Sequence, residues 1–168
     1  MLARQTGFCQ AGPVVNPESS SPSTVTETAF PESVPIAVLS ALKDPQARLG
    51  WLVDWARRLH PFPESLRRDE FRVSGCLVRL WWVPEFHSGR CWFRADSDAV
   101  SLKALTGFLA SHYSGKTTAE ILAGERAPLD RLGLLRHLAD NRRATVLRVE
   151  ELTHQFARTC QADAPSMK

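Results

Sequence analysis

Apolar residues recur at helical spacing over Leu49, Leu52, Val53, Ala56 and Leu59, directly after Asp44-Pro45. Asp is a favoured N-cap, and Pro suits the first helical position because its missing N–H would go unpaired there anyway. The pattern predicts a helix that His60-Pro61-Phe62-Pro63 stops. The period then drops to two. Across Leu77 to Val83, the wholly apolar set Val78, Leu80 and Trp82 should face the core, with Leu77, Arg79 and Trp81 on the other side. Pro84 to Gly89 reads as a turn and Arg90 to Ala95 as the returning strand, with Cys91, Phe93 and Ala95 on one face and Trp92 and Arg94 on the other. Asp96-Ser97-Asp98 predicts a helix start, followed by a stripe of Val100, Leu105, Phe108 and Leu109. Thr117-Thr118-Ala119-Glu120 fits a capping box, in which the Thr oxygen and the Glu carboxylate each take an unpaired N–H. A short helix over Leu129 to Leu138 and a final one carrying Val146, Val149, Leu152 and Phe156 complete an α+β reading: a small antiparallel β-sheet covered by helices.

The first 33 residues break these patterns. They are rich in Ser, Thr, Pro and Glu and cannot bury enough apolar surface to offset their ordering entropy. We read 1–33 as a disordered tail, 34–162 as the folded domain and 163–168 as a C-terminal tail. The net charge of +3 arises outside the first segment, which holds Arg4 against Glu18, Glu27 and Glu32. No nucleic-acid-binding motif accompanies that small surplus, so no nucleic-acid partner is expected. No apolar run approaches the roughly 18–20 residues that span a bilayer, so no membrane association is expected either. Cys9, Cys76, Cys91 and Cys160 form no CxxC pair and follow no secretory signal, which suits thiols in a reducing cytoplasm.

Among candidate chemical groups, Cys76 stands out because Gly75 precedes it at a loop-to-strand junction, where glycine allows a tight turn that presents the thiol. The competing reading is a buried, inert cysteine, a common fate of unpaired thiols. Cys91 alternates with Phe93 and Ala95 and reads as core, while Cys160 reads as incidental at a helix end. A zinc site from Cys76, His87 and Cys91 lacks a fourth ligand. Gly115-Lys116-Thr117 evokes a phosphate loop, but Ala110 occupies the position of the required first glycine, and the triplet follows a helix rather than a strand. His112 and His137 lie in helical stretches and read as packing or surface residues.

Several blocks, taken in order, resemble the SufE/CsdE family of the iron–sulfur metabolism associated domain. They are Arg48-Leu-Gly-Trp-Leu-Val-Asp54, Phe71-Arg-Val-Ser-Gly-Cys76, Leu80-Trp81, Phe93-Arg-Ala-Asp-Ser-Asp-Ala99, Ser114-Gly-Lys-Thr-Thr-Ala-Glu-Ile-Leu122, and Leu132-Gly-Leu-Leu-Arg-His-Leu138 with Arg142-Arg143. The resemblance implies a SufE-like fold and a protein that is not itself an enzyme and holds no cofactor. It implies that Cys76 accepts persulfide sulfur from a pyridoxal-phosphate-dependent cysteine desulfurase of the SufS/CsdA type and stimulates it. The sulfur would then pass to an iron–sulfur scaffold or another acceptor. Where the family usually reads Gly-Cys-Gln-Ser-Gln-Val-Trp, this chain has Gly75-Cys-Leu-Val-Arg-Leu-Trp81. Gly75, Arg79, Trp81 and Arg94 are the expected partner-binding residues, the last three as part of a basic aromatic patch on the outer hairpin face, which Trp92 would share. The alternative is an adaptor that regulates a desulfurase with an inert Cys76.

Overall fold

The structure, a computed structural model, describes residue 34, residues 36–124 and residues 126–163. The expected N-terminal tail with Cys9, and residues 164–168, lie outside the described residues. The chain runs through α1 (Ile36–Ala41), α2 (Pro45–Ala56), two 3₁₀ turns (Glu64–Leu66 and Asp69–Phe71), β1 (Leu80–His87) and β2 (Arg90–Ser97). Then come α3 (Val100–Tyr113), α4 (Thr118–Ala123), α5 (Pro128–Arg131), a 3₁₀ turn (Leu135–His137) and α6 (Asp140–Asp163). This is the α+β architecture read from the sequence, with one antiparallel pair, β1–β2, as its sheet.

Local capping chemistry sets several boundaries. Asp44 accepts from the Ala47 N–H at 3.0 Å and starts α2 with Pro45 at its head. Thr117 and Glu120 form the reciprocal capping box of α4. α2 ends at Ala56, short of the proline-rich stop, and Arg57 and Arg58 close its last turn.

The hairpin differs from its sequence reading. β1 begins at Leu80 and continues through Pro84 to His87, so the turn is confined to Ser88-Gly89. Both turn residues have positive φ (52° and 72°), as a tight two-residue hairpin connection requires. Pro84 pairs with Phe93 inside the ladder. A two-stranded sheet tolerates proline where its absent N–H points off the ladder. The next helix also starts later than read: Asp96 and Ser97 finish β2, and the Ser97 hydroxyl accepts from the Ala99 N–H at 3.2 Å ahead of α3. Val100 leaves the predicted stripe and is 53% exposed. The helix expected over Leu129 to Leu138 splits into α5 and a 3₁₀ turn at Gly133, whose φ is +70°.

α3 is the central element, buried along nearly its whole length from Leu102 to Ser111 and packed against β2, α2 and α6. Phe93 anchors the core, stacked on Trp82 at 5.2 Å and edge-on to Phe156 at 5.9 Å. Cys91 is fully buried, as its alternation predicted. Cys160 is a correction: it is 1% exposed on α6 and belongs to the packed interior rather than to a frayed end. α6 packs against α4, α3 and β1, which brings its first turns beside the loop that precedes the hairpin.

Candidate functional site

Cys76 lies in the loop between the second 3₁₀ turn and β1, and the loop is tied at both feet. The Val73 N–H donates to the Leu80 carbonyl at 2.9 Å, continuing the short bridge between Arg72 and Trp81. Beside Leu80, the Arg79 carbonyl accepts from the Ser97 hydroxyl at 2.8 Å and from the Asp98 N–H at 3.2 Å. Between these anchors, Gly75 adopts φ +81°, a left-handed angle that a side chain disfavours. A Cβ there would meet nothing within 4 Å, so the need for glycine comes from backbone conformation and not from space. Leu77 follows the cysteine and is 84% exposed.

The Cys76 side chain is half-buried and turns toward α6, where its Sγ lies 2.9 Å from the Thr145 hydroxyl. That hydroxyl also contacts the Asn141 carbonyl oxygen at 2.9 Å. A carbonyl can only accept, so the single hydroxyl proton of Thr145 goes to Asn141, and toward Cys76 the oxygen presents a lone pair. The sulfur is therefore the donor in this contact. Among the described residues Thr145 is the only hydrogen-bond partner of Cys76. Neither Cys76, Cys91 nor Cys160 is in a disulfide.

The expected patch of Arg79, Trp81, Trp92 and Arg94 divides in two. Near the cysteine loop, Trp81 is only 4% exposed, with the guanidiniums of Arg67 and Arg79 at 5.4 and 5.6 Å from its ring centre. Arg79 reaches Asp98 at 2.7 Å, and the buried Asp96 takes Arg67 at 2.6 Å and Lys103 at 2.9 Å. Farther along the hairpin, Arg94 pairs with Glu85 at 2.6 Å, and His87 stacks on Trp92 at 5.2 Å. Gly75, Arg79 and Trp81 thus lie at or beside the cysteine loop, while Arg94 belongs to a separate cluster toward the hairpin turn. Trp81 is covered because Arg67 folds over it from a segment before the cysteine, a contact that strand alternation cannot register. Sequence reasoning also missed Thr145. Its one local signal is the helical stretch around it, and nothing there announces a partner in a distant loop.

Gly115-Lys116-Thr117 is absorbed by the fold. The Gly115 N–H donates to the Cys91 carbonyl at 2.9 Å and the Cys91 N–H to the Lys116 carbonyl at 2.8 Å, so the triplet bridges antiparallel to the start of β2 and its backbone is spent there, not on a phosphate. His112 packs on Phe108 and Tyr113, and burial, reinforced by Lys116 and Arg131, lowers its pKa to about 4. Among the described residues, no helix is long and apolar enough to cross a membrane.

Comparison with known proteins places this geometry. The chain is 29% identical over 120 residues to "SufE-like protein 2, chloroplastic" of Arabidopsis thaliana, covering 64% of this chain and 46% of that protein. An uncharacterized SufE-like protein of Rhizobium etli is 28% identical over 119 residues, covering 66% of this chain and 80% of that one. "Quinolinate synthase, chloroplastic" of Arabidopsis thaliana is 31% identical over 107 residues, which is 62% of this chain but 15% of that enzyme. The chain thus spans between 15% and half of the length of the first curated relatives it matches. Among solved structures, the solution structure of a hypothetical protein from Thermus thermophilus shares the fold, with a TM-score of 0.62 at 16% identity over 76% of this chain and 93% of that one. The family described as "SufE: Fe-S metabolism associated domain" matches residues 35–157, and this chain belongs to it.

Proposed function

We propose that this protein is a sulfur carrier that takes persulfide sulfur on Cys76 from a pyridoxal-phosphate-dependent cysteine desulfurase and stimulates that enzyme. The sulfur then goes to an iron–sulfur scaffold or a related acceptor. Membership of the SufE family supports a role in sulfur transfer for Fe–S metabolism. The observation that carries the assignment to Cys76 is its placement on a glycine turn in a loop tied at both feet, beside the exposed Leu77. In the transfer, the Cys76 proton leaves first and the thiolate attacks the outer sulfur of the donor persulfide. The donor's S–S bond breaks as the new one forms, leaving a persulfide on Cys76 and a thiolate on the donor. Most of the acceleration comes from docking, because holding the two sulfurs together makes the attack effectively intramolecular.

Gly75 and Arg79 flank the thiol and form the docking edge in this reading, with Trp81 as the platform beneath Arg79. Arg94 adds charge farther along the hairpin. Charge reversal at Arg79 should weaken desulfurase binding with the fold intact. The competing reading, an adaptor with an inert Cys76, draws on the Cys76–Thr145 contact, which turns the thiol inward toward α6. Incubation with a cysteine desulfurase and cysteine, followed by intact-mass analysis, separates the two. A carrier gains one sulfur on Cys76, and an adaptor stimulates turnover without gaining any. A cytoplasmic location is part of the carrier reading, and cell fractionation tests it.

A further inference from the structure

Among the described residues, four large hydrophobic side chains are exposed: Val38, Leu77, Val100 and Leu147. Single exposed hydrophobics are ordinary on a protein surface. Leu77 differs in degree and in place. It is 84% exposed, so it adds next to nothing to the packing of the domain, and it directly follows Cys76. Val100, 53% exposed, opens α3. Arg79 and Asp98 connect the two: the Asp98 N–H donates to the Arg79 carbonyl at 3.2 Å, and the side chains pair at 2.7 Å.

Chain geometry bounds the distance between the two apolar positions. Leu77 lies two residues before Arg79 and Val100 two residues after Asp98. With neighbouring Cα atoms about 3.8 Å apart, Leu77 and Val100 are separated by at most roughly 20 Å. One side of a standard protein–protein interface, about 800 Å², is roughly 30 Å across. A partner docked over the Arg79–Asp98 pair can cover both. The place of Leu77 also selects the occupant. A protein that brings a sulfur atom into bonding range of Cys76 comes to lie over the next residue as well, since its Cα is only about 3.8 Å away. Covering Leu77 with polar groups would gain little, whereas an apolar recess would take its side chain out of water.

We propose that Leu77 and Val100 form an apolar docking patch, divided by the Arg79–Asp98 ion pair, for the cysteine desulfurase that delivers sulfur to Cys76. The desulfurase presents an apolar recess to Leu77. This inference rests on the sulfur-carrier reading and adds the surface chemistry of the partner. Leu77 acts as a positioning residue: once seated, it fixes the neighbouring thiol relative to the donor sulfur. The ion pair, with both side chains more than a third exposed, supplies polar contacts beside the apolar anchor.

Calorimetric titration of the full chain into the pyridoxal-phosphate-loaded cysteine desulfurase of the same organism, without cysteine, reads docking apart from sulfur transfer. Leu77→Gln should raise Kd roughly 10- to 100-fold, and Val100→Gln, with about half its surface already covered, roughly three- to tenfold. Leu77→Met, which keeps an apolar chain, should stay within about threefold of the parent. Leu147→Gln changes an exposed residue about half a turn from Thr145 around the α6 axis and should bind as the parent does. All four variants alter exposed positions and should melt with the parent. A Leu77→Gln Kd within about twofold of the parent's would overturn the patch. Sulfur gain on the parent's Cys76, read by intact mass, would in that case leave the carrier reading standing. Equal weakening by Leu147→Gln would also overturn it. So would a parent dimer in sedimentation that Leu77→Gln dissolves, because the patch then belongs to a second copy. A parent chain that neither binds the desulfurase nor gains sulfur would overturn both readings.

Discussion

Replacing Thr145 by Val keeps the side-chain shape while deleting the lone pair that receives the Cys76 proton. The Asn141 carbonyl is not orphaned by the change, because the backbone N–H of residue 145 points at it in the regular α6 ladder. The substitution places an apolar group of the same size in a buried position, so stability should move by no more than about 1 kcal/mol. The thiol, by contrast, loses the one hydrogen bond that holds it against α6. A neutral hydrogen bond is worth roughly 0.5–1.5 kcal/mol net. If that bond holds the thiol in its inward position, its removal should raise the rate of native-state labelling by a neutral alkylating reagent roughly 2- to 12-fold. Thr145→Ser, which retains the acceptor, should label close to the parent rate. Labelling of single-cysteine variants at fixed pH, followed by mass spectrometry, reads this directly. A Thr145→Val protein that melts normally and labels no faster than the parent would refute the claim that this contact restrains Cys76.

Three further outcomes are expected. Cys76→Ser should fold, gain no sulfur from a desulfurase and give no stimulation by turnover assay, while Cys91→Ala should lose about 1–2 kcal/mol in chemical denaturation from the cavity left at a fully buried site but still load sulfur. Arg67→Met removes one of two cations from the buried Asp96 and uncovers Trp81, and should cost about 1–3 kcal/mol in urea denaturation, with a red shift of tryptophan emission. The folded-state pKa of Glu150, about 7, lies above its ordinary 4.5, so the folded protein binds the extra proton; this contribution is fully present below pH 4.5 and is lost as pH rises through 7. His112, lowered to about 4, acts in the opposite sense, losing stability as pH falls from 6.5 toward 4, so Glu150→Gln should flatten the alkaline limb of a melting-temperature profile and leave the acid limb in place.

The features legible in the sequence are those decided by neighbours in the chain. Asp44-Pro45 and Thr117 to Glu120 announce their helices because a cap is closed within a few residues. Cys91 is recognisably coreward because alternation is also local. Gly75-Cys76 marks a turn because a left-handed backbone angle selects glycine at one position. Reading failed where distant segments decide. Pro84 looked like a breaker, yet the register from Leu80↔Ser97 to His87↔Arg90 carries it through the strand. Trp81 looked exposed by parity until Arg67 covered it. Cys160 looked peripheral because the length of α6 and the elements packed on it cannot be read from its own neighbours. Thr145 enters the site from another part of the chain altogether, and only the folded arrangement pairs it with Cys76.

The double anchoring of the cysteine loop sets a limit on distance. With Val73 bonded to Leu80 across the base of the loop, and Arg79 bonded to Ser97 and Asp98 at its C-terminal foot, the thiol travels on a tether a few residues long. At roughly 3.5 Å per extended residue, its excursion from those anchors is on the order of 10 Å. A sulfur donor recessed farther than that from its own surface would be out of range for any motion of the loop alone. If Cys76 takes sulfur from another protein, as proposed, that protein would have to bring the sulfur outward, and a depth mismatch between the two would block exchange even where their surfaces fit.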